Sequence, residues 1–224
     1  GRGLNPFFNL AESLGILQGQ RDADLICFFN SQLRKFLDPP LRNFHGAYGE
    51  RLRRWPRVTR LSLGMGQDIQ LRDQLLECFH TLLENRESRQ AVMTLWNPIA
   101  DGYGRGTLDR PCNLAVTFKV RVGKLWMSVF NRSNDVVLGL TSTNIVQFST
   151  LQEVLAAWLG VGVGPYSHYS DSLHLYDSQE VSMGPPFDVY DYVSPTSMAQ
   201  RTPGEFDADL SDVYTALGLQ IGLA

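Results

Sequence analysis

The chain has 224 residues, 43% hydrophobic and 19% charged, with a formal net charge of -3 and a pI near 5.8. That composition supplies a substantial core for one domain, and its weak acidity gives no general attraction for polymeric nucleic acid or anionic membrane. No apolar run approaches the roughly 20 residues that cross a bilayer, and the first residues lack signal-peptide regions, so a cytoplasmic location and no membrane partner are expected.

Chain order predicts a helix from Pro6, with Asn5 as its cap, Gly19 after its end, and Phe7, Leu10, Leu14 and Leu17 on one apolar face. Glu12 interrupts that helix as a carboxylate among apolar neighbours. Burial would raise its pKa and suit it to proton transfer, whereas exposure would leave it an ordinary surface group. A second helix is expected over Ala23 to Phe36, ending before Asp38-Pro39-Pro40, and His45 to Gly49 reads as a close-packed turn containing Tyr48.

The helical period of Leu71, Leu75, Leu76, Phe79 and Leu82 predicts a helix between Asp68 and Leu83, with Arg86 and Arg89 at its polar end. Strands are expected at Ala91 to Trp96, Leu114 to Val122 and Leu125 to Asn131, the last two joined by a turn at Val122-Gly123-Lys124. Gly102 to Gly106 reads as a loop. A helix from about Ile145 to Leu159, with Asn144 as its cap, precedes a strand through His174-Leu175-Tyr176, where His174 and Tyr176 share a face. Beyond about Gly184 the chain turns rich in Pro, Asp, Ser and Thr, with a short helical pattern over Asp209 to Leu217. The order of elements implies an α+β fold, a mixed sheet with flanking helices, formed by residues 1–184 and followed by an extension over 185–224.

Three cysteines without a Cys-x-x-Cys spacing argue against a disulfide framework or thiolate metal site, and the four histidines lack helical ligand spacing, so no metal is expected. Cys27 and Cys78 fall in helical apolar segments and read as core thiols. Cys112 differs. It follows Pro111 at the start of a strand, and Arg132-Ser133-Asn134-Asp135 lies just past the next hairpin, where a guanidinium can stabilise a thiolate and, with a hydroxyl, grip a phosphate. The alternatives are a buried small residue for Cys112 and a solvated ion pair for Arg132 and Asp135. A cysteine hydrolase is disfavoured because no histidine partner stands out.

Taken in order, Glu12-Ser13-Leu14-Gly15-Ile16-Leu17-Gln18-Gly19, Tyr48-Gly49, Ser88-Arg89, Trp96-Asn97, Pro111-Cys112, Arg132-Ser133-x-Asp135 with Gly139, Asn144-Ile145 and His174-Leu175-Tyr176 resemble the thymidylate synthase and pyrimidine hydroxymethylase family. The resemblance implies a thymidylate synthase-like three-layer fold and one-carbon transfer from 5,10-methylenetetrahydrofolate, a reduced folate, to C5 of a pyrimidine nucleoside monophosphate. It implies Cys112 as nucleophile, Glu12 and Tyr48 as proton-transfer groups, and Asn144 at the base edge. Arg132 and Ser133 would hold the phosphate, His174 and Tyr176 the ribose, and Asp135 and Gly139 the folate. It also implies a homodimer in which Arg89 crosses into the partner's phosphate site.

The chain departs from that pattern in Arg89-Gln90 for paired arginines, Asn113 for the histidine after the nucleophile, and one extra residue within Thr141-Ser142-Thr143. Arg34 and Leu37 fall where synthases keep tryptophans over the folate. A site without that cover admits water, which implies hydroxymethylation in preference to reductive methylation. Asn144 is the uracil-type choice, and thymidylate synthesis or a catalytically silent nucleotide-binding dimer are the alternatives.

Overall fold

The computed structural model describes residues 5–176 apart from 22, 39–42, 59–68 and 104–105. The expected loop at Gly102 to Gly106 is only partly within these residues, and the 184/185 boundary and the helix expected at Asp209 to Leu217 lie outside them.

Helix α1 spans Pro6–Gln18; the Asn5 side chain accepts from the amides of Phe7 and Phe8, both at 3.1 Å, and Gly19 closes it with φ 74°. The helix expected over 23–36 is instead two pieces, α2 (Asp24–Phe29) and a 3-10 helix (Ser31–Phe36). Asn30 breaks it: its extended backbone leaves the helix and its carboxamide accepts from Gln32 N at 3.2 Å, a local bond that competes with helix propagation. Helix α3 (Tyr48–Arg53) then packs on α1 so closely that a Cβ on Gly49 would strike the Gly15 carbonyl oxygen.

Strands β1 (Trp55–Val58) and β2 (Ile69–Arg72) pair antiparallel, so Leu71 belongs to a strand and not to the following helix. Helix α4 (Gln74–Glu84) starts later than its apolar period suggests, because the Asp73 carboxylate accepts from Leu76 N and fixes the boundary. The main sheet contains β3 (Val92–Thr94), β4 (Asn113–Arg121), β5 (Lys124–Asp135) and β6 (Gly162–His174) in that order. The first two pairings are antiparallel and β5–β6 is parallel, which makes the sheet mixed. The expected strand over 174–176 ends at His174. Between β5 and β6 run a π-helix (Val136–Thr143) and α5 (Asn144–Trp158).

The inner sheet face (Val116, Phe118, Met127, Val129) packs on α5 (Phe148, Leu151, Leu155) and α4 (Leu75, Cys78, Leu82), and α1 packs on α5 as a third layer. This is an α+β fold. Cys78 is buried in that core, and Cys27 is buried in α2; all three cysteines are free thiols. Among the described residues no helix is long and apolar enough to cross a membrane.

The β4–β5 turn takes Val122 at φ 50° and Gly123 at φ 68°, the left-handed pair of a two-residue hairpin. A β-branched residue pays a steric cost there, and Val122 is 95% exposed with no packing to offset it. Val122→Asn is therefore expected to stabilise the protein by about 1 kcal/mol, read as a higher urea midpoint at unchanged slope.

Candidate active site

A cavity of about 240 Å³ opens between α1, the 3-10 helix, the start of α3, residues 109–112 and the start of α5. Glu12, Tyr48, Cys112 and Asn144 all line it, although they lie in four separate stretches of chain. Buried polar atoms without a hydrogen-bond partner among the described residues also belong to its lining residues: Gln20 Nε2, Arg110 Nε and Gln147 Oε1. A polar wall with unmet hydrogen-bond capacity is built for a polar ligand.

Cys112 sits half-buried in the bend just before β4. Arg132, from the end of β5 opposite a bulge in β4, donates Nε to Pro111 O at 3.0 Å and a terminal nitrogen to Arg110 O at 3.2 Å, and it lies over the Trp96 ring at 5.7 Å. The adjacent strands thus bring the cysteine and arginine together. Burial pushes the thiol up and Asp109 adds to that, while Arg132 pulls the other way and is outweighed. The expected thiolate is therefore the minor form in the ligand-free protein, because a half-buried sulfur loses more hydration than one guanidinium, itself bound to two carbonyls, restores. Asp109 lines the same cavity and accepts from Gly46 N at 2.8 Å, a carboxylate the sequence reading passed over.

Glu12 points from α1 to Gln147 on α5, whose Nε2 donates to Oε2 at 2.7 Å. Burial raises its pKa to about 8, with the Gln147 bond opposing. The side chain is thus a neutral acid at neutral pH. Because the folded pKa exceeds the unfolded value, stability is fully present below about pH 4.5 and is lost as pH rises through about 8. Glu12→Gln is expected to melt several degrees above wild type at pH 8.5 and level with it at pH 4, by calorimetry at both pH values.

Tyr48 donates its hydroxyl proton to Asn113 Oδ1 at 2.6 Å, and burial, with Cys112 nearby, pushes its pKa well above the ordinary range. Asn113 is fully buried, so the residue replacing the expected histidine faces inward and holds the tyrosine. A run of buried amides continues from it. Asn113 Nδ2 donates to Asn131 Oδ1 at 2.5 Å, and Asn131 Nδ2 meets His168 Nε2 at 2.5 Å. Asn134 Nδ2 meets the same nitrogen at 3.2 Å and also donates to Ser170 Oγ at 3.1 Å. Nothing in the spacing of the histidines singles out His168; its polar neighbours become visible only when β5 and β6 pair.

Asn144 is not the cap of α5 as expected: it is already helical, and its side chain makes no capping bond. Its Nδ2 instead donates to Asn134 Oδ1 at 3.3 Å. The extra residue in Thr141-Ser142-Thr143 lies in the wide turns of the π-helix, and Asn144 still lines the cavity. A Cβ on Gly139 would collide with Asn134 Oδ1, so glycine there makes room for the Asn134–Asn144 contact.

Other expected site residues lie outside the cavity wall. Asp135 accepts from Val137 N and Leu138 N, both at 2.7 Å, and so starts the π-helix. Ser133 pairs with Ser172 across the β5–β6 ladder. His174 ends β6 opposite Asp135, with the Tyr176 ring edge-on at 5.1 Å. Arg89 is exposed in the connection from α4 to β3. On the apolar side the expectation of Arg34 and Leu37 is corrected: neither lines the cavity, whereas Leu33 and Phe36 do. A 3-10 helix has three residues per turn, so residues i and i+3 eclipse and Leu33 and Phe36 face inward together. Some aromatic cover is therefore present.

Residues 9–202 match the family model described as thymidylate synthase. The chain is 44% identical over 176 residues to a deoxyuridylate hydroxymethyltransferase of Bacillus phage SP01, covering 79% of this chain and 45% of that protein. It is 35% identical over 214 residues to a protein of the same name from Pseudomonas phage M6, covering 95% of this chain and 56% of the relative. A thymidylate synthase of Listeria monocytogenes is 26% identical over 207 residues, covering 88% of this chain and 62% of that one. The chain thus spans about half the length of the first two relatives. With a family match over most of its length, and Cys112, Tyr48, Glu12 and Asn144 gathered at one cavity, the chain belongs to the thymidylate synthase family.

Proposed function

We propose that this protein hydroxymethylates deoxyuridylate, moving the one-carbon unit of 5,10-methylenetetrahydrofolate to C5 of dUMP and finishing with water. The observation that carries this reading is the single cavity onto which a thiol, a neutral carboxylic acid, a phenol and a carboxamide converge. The names of the two phage relatives support the choice of uracil base and of hydroxymethyl product.

In this reading Cys112 Sγ, deprotonated as substrate binds, adds to C6 of the pyrimidine, and the ring electrons shift toward C5 and the C4 carbonyl. Protonated Glu12, acting through water, stabilises that oxygen, and Tyr48 exchanges the proton at C5. Asn144 meets N3–H and O4 of uracil with its two amide atoms. Arg132 and Ser133 hold the phosphate, and His174 and Tyr176 the ribose. The apolar wall of Leu25, Ile26, Leu33, Phe36 and Phe44, with Arg21 beside it, suits a flat heteroaromatic ring with an anionic tail, and Asp135 and Gly139 complete the folate side. When bound, the folate supplies a carbon at the oxidation level of formaldehyde. Release of Cys112 from C6 restores the aromatic ring and the thiol.

A homodimer with Arg89 reaching the second site is part of the reading. Its support is the outer sheet face, where Phe130 and Tyr169 stack at 5.0 Å while 37% and 55% exposed. A cytoplasmic setting belongs to it as well, since a reducing compartment keeps the three cysteines as free thiols.

The test is to incubate the protein with methylenetetrahydrofolate and dUMP, weigh the nucleotide and follow dihydrofolate absorbance. A hydroxymethyl mass without dihydrofolate is expected. Phe36 and Phe44 on the cavity wall favour a second reading, reductive methylation to thymidylate, because aromatic cover keeps water out. A methyl mass with matching dihydrofolate would establish it instead.

A further inference from the structure

The buried amides around His168 form a directed chain, not merely a packed cluster. Both Asn131 and Asn134 present Nδ2 to the same imidazole nitrogen, Nε2, at 2.5 and 3.2 Å. Two amide donors aimed at one nitrogen require that nitrogen to be an unprotonated acceptor, so the ring proton sits on Nδ1 and is shared with the Tyr166 hydroxyl at 2.9 Å. The amide orientations then follow in sequence. With Asn131 Nδ2 turned to His168, Asn131 Oδ1 accepts from Asn113 Nδ2, and Asn113 Oδ1 is left to accept the Tyr48 proton. In the other branch Asn134 Oδ1 accepts from Asn144 Nδ2.

We propose that His168 is a positioning residue for the reaction. Its unprotonated Nε2 sets, through Asn131 and Asn113, the direction of the Tyr48 hydroxyl beside Cys112, and, through Asn134, the orientation of the Asn144 carboxamide. Protonating Nε2 would turn a donor against two donors. Asn131 would have to flip, Asn113 would flip with it, and Tyr48 would change from donor to acceptor in that bond. The groups facing the imidazole are Asn131 and Asn134 on β5 and Tyr166 on its own strand, all uncharged at neutral pH, and among the described residues His168 makes no ion pair. Burial holds the imidazole below its usual pKa, so the acceptor form prevails at neutral pH.

The role of His168 rests on the proposed reaction, but its state is measurable without it. Nitrogen-15 spectra of histidine-labelled protein, with the His168 signals identified by their loss in His168→Gln, should show the Nδ1–H tautomer; an Nε2–H tautomer at pH 8 would overturn the proposal whatever the protein catalyses. Calorimetric titration with dUMP gives a second reading free of folate. Wild-type affinity should fall as pH drops through the His168 titration seen by NMR, and His168→Gln, whose side-chain oxygen accepts without titrating, should bind within about threefold of wild type at pH 8 and lose that acid dependence. For turnover, His168→Leu, lacking any acceptor, should lose at least about tenfold in kcat/KM at pH 8, the scale of one buried hydrogen bond, with the gap to wild type narrowing as pH drops through the His168 titration, while His168→Gln restores most of the loss. Equal pH profiles for wild type and His168→Gln, or full activity in a folded His168→Leu protein, would overturn the inference. If His168→Leu does not fold, the tautomer and the His168→Gln profile still decide it.

Discussion

Replacing Cys112 with alanine is expected to lower turnover by at least roughly four orders of magnitude while dUMP affinity changes only a few-fold. The reason is that the thiol, alone among the cavity groups, can add to a pyrimidine carbon and leave again; in the proposed reaction Glu12 and Tyr48 move protons, and Asn144 holds the base. Serine should not rescue it. Its hydroxyl is far less acidic than a thiol, and the surroundings of Cys112, where burial and Asp109 outweigh Arg132, already oppose an anion at this position. Intact-protein mass spectrometry checks the chemistry directly: with 5-fluoro-dUMP and methylenetetrahydrofolate, wild type should retain both ligands after denaturation and Cys112→Ala neither. A denaturation-stable adduct on Cys112→Ala would sink the assignment.

Arg51→Met is the change expected to cost most in stability, about 3–5 kcal/mol, because it strands a buried carboxylate. Arg51 and Asp101 are 6% and 1% exposed. The guanidinium donates to Asp101 Oδ2 at 2.6 Å, to Asp101 Oδ1 at 2.8 Å, to Leu95 O at 2.5 Å and to His45 O at 2.9 Å. Asp101 also accepts from Asn97 N at 2.7 Å, so this one pair ties α3 to the loop after β3 and to the turn that presents Tyr48. Burial alone would raise the Asp101 carboxyl, but Arg51, Asn97 and His45 together hold it below the usual carboxylate range. A depressed folded pKa gives stability that is present above the unfolded value near 3.8 and lost as pH falls through the folded value. Urea unfolding at pH 7 should therefore show the full loss in Arg51→Met, and an Arg51→Met/Asp101→Leu double variant should recover part of it. Asp101→Asn should flatten the acid limb of the wild-type stability curve. A wild-type urea midpoint for Arg51→Met would refute the argument.

The apolar period and caps around α1 locate it to the residue, since Asn5, Pro6 and Gly19 act on their own neighbours. The β4–β5 hairpin and α5 are likewise legible, although β5 runs on to Asp135, four residues past its expected end, and α5 starts one residue early. The errors share one cause, side chains that settle a boundary by a bond the period does not reveal. Asn30 splits a helix, and Asp73 delays one. Asn144, read as a cap, turns instead to a residue ten positions before it. On the site, Cys112 beside Arg132 follows from a hairpin that sequence alone suggests. The amide chain from Asn113 to His168 does not, because it needs the parallel β5–β6 pairing and the bulge that follows Asn113 in β4.

By itself, then, the sequence determined the chemistry available to this protein: one thiol outside the core, a carboxylate misplaced on an apolar helix, a tyrosine in a tight turn, and the order of motifs that relates them to a family. Local propensity and residue type suffice for that, since neither depends on distant neighbours. Only the tertiary structure decided how those groups stand. It made Glu12 a neutral acid by burying it against Gln147, and it left Cys112 mostly a thiol by removing more water than Arg132 replaces. It also turned Leu33 and Phe36, not Arg34 and Leu37, to the cavity. Protonation and orientation are set by desolvation and by partners brought from afar in the chain, and those exist only once the sheet and helices have packed.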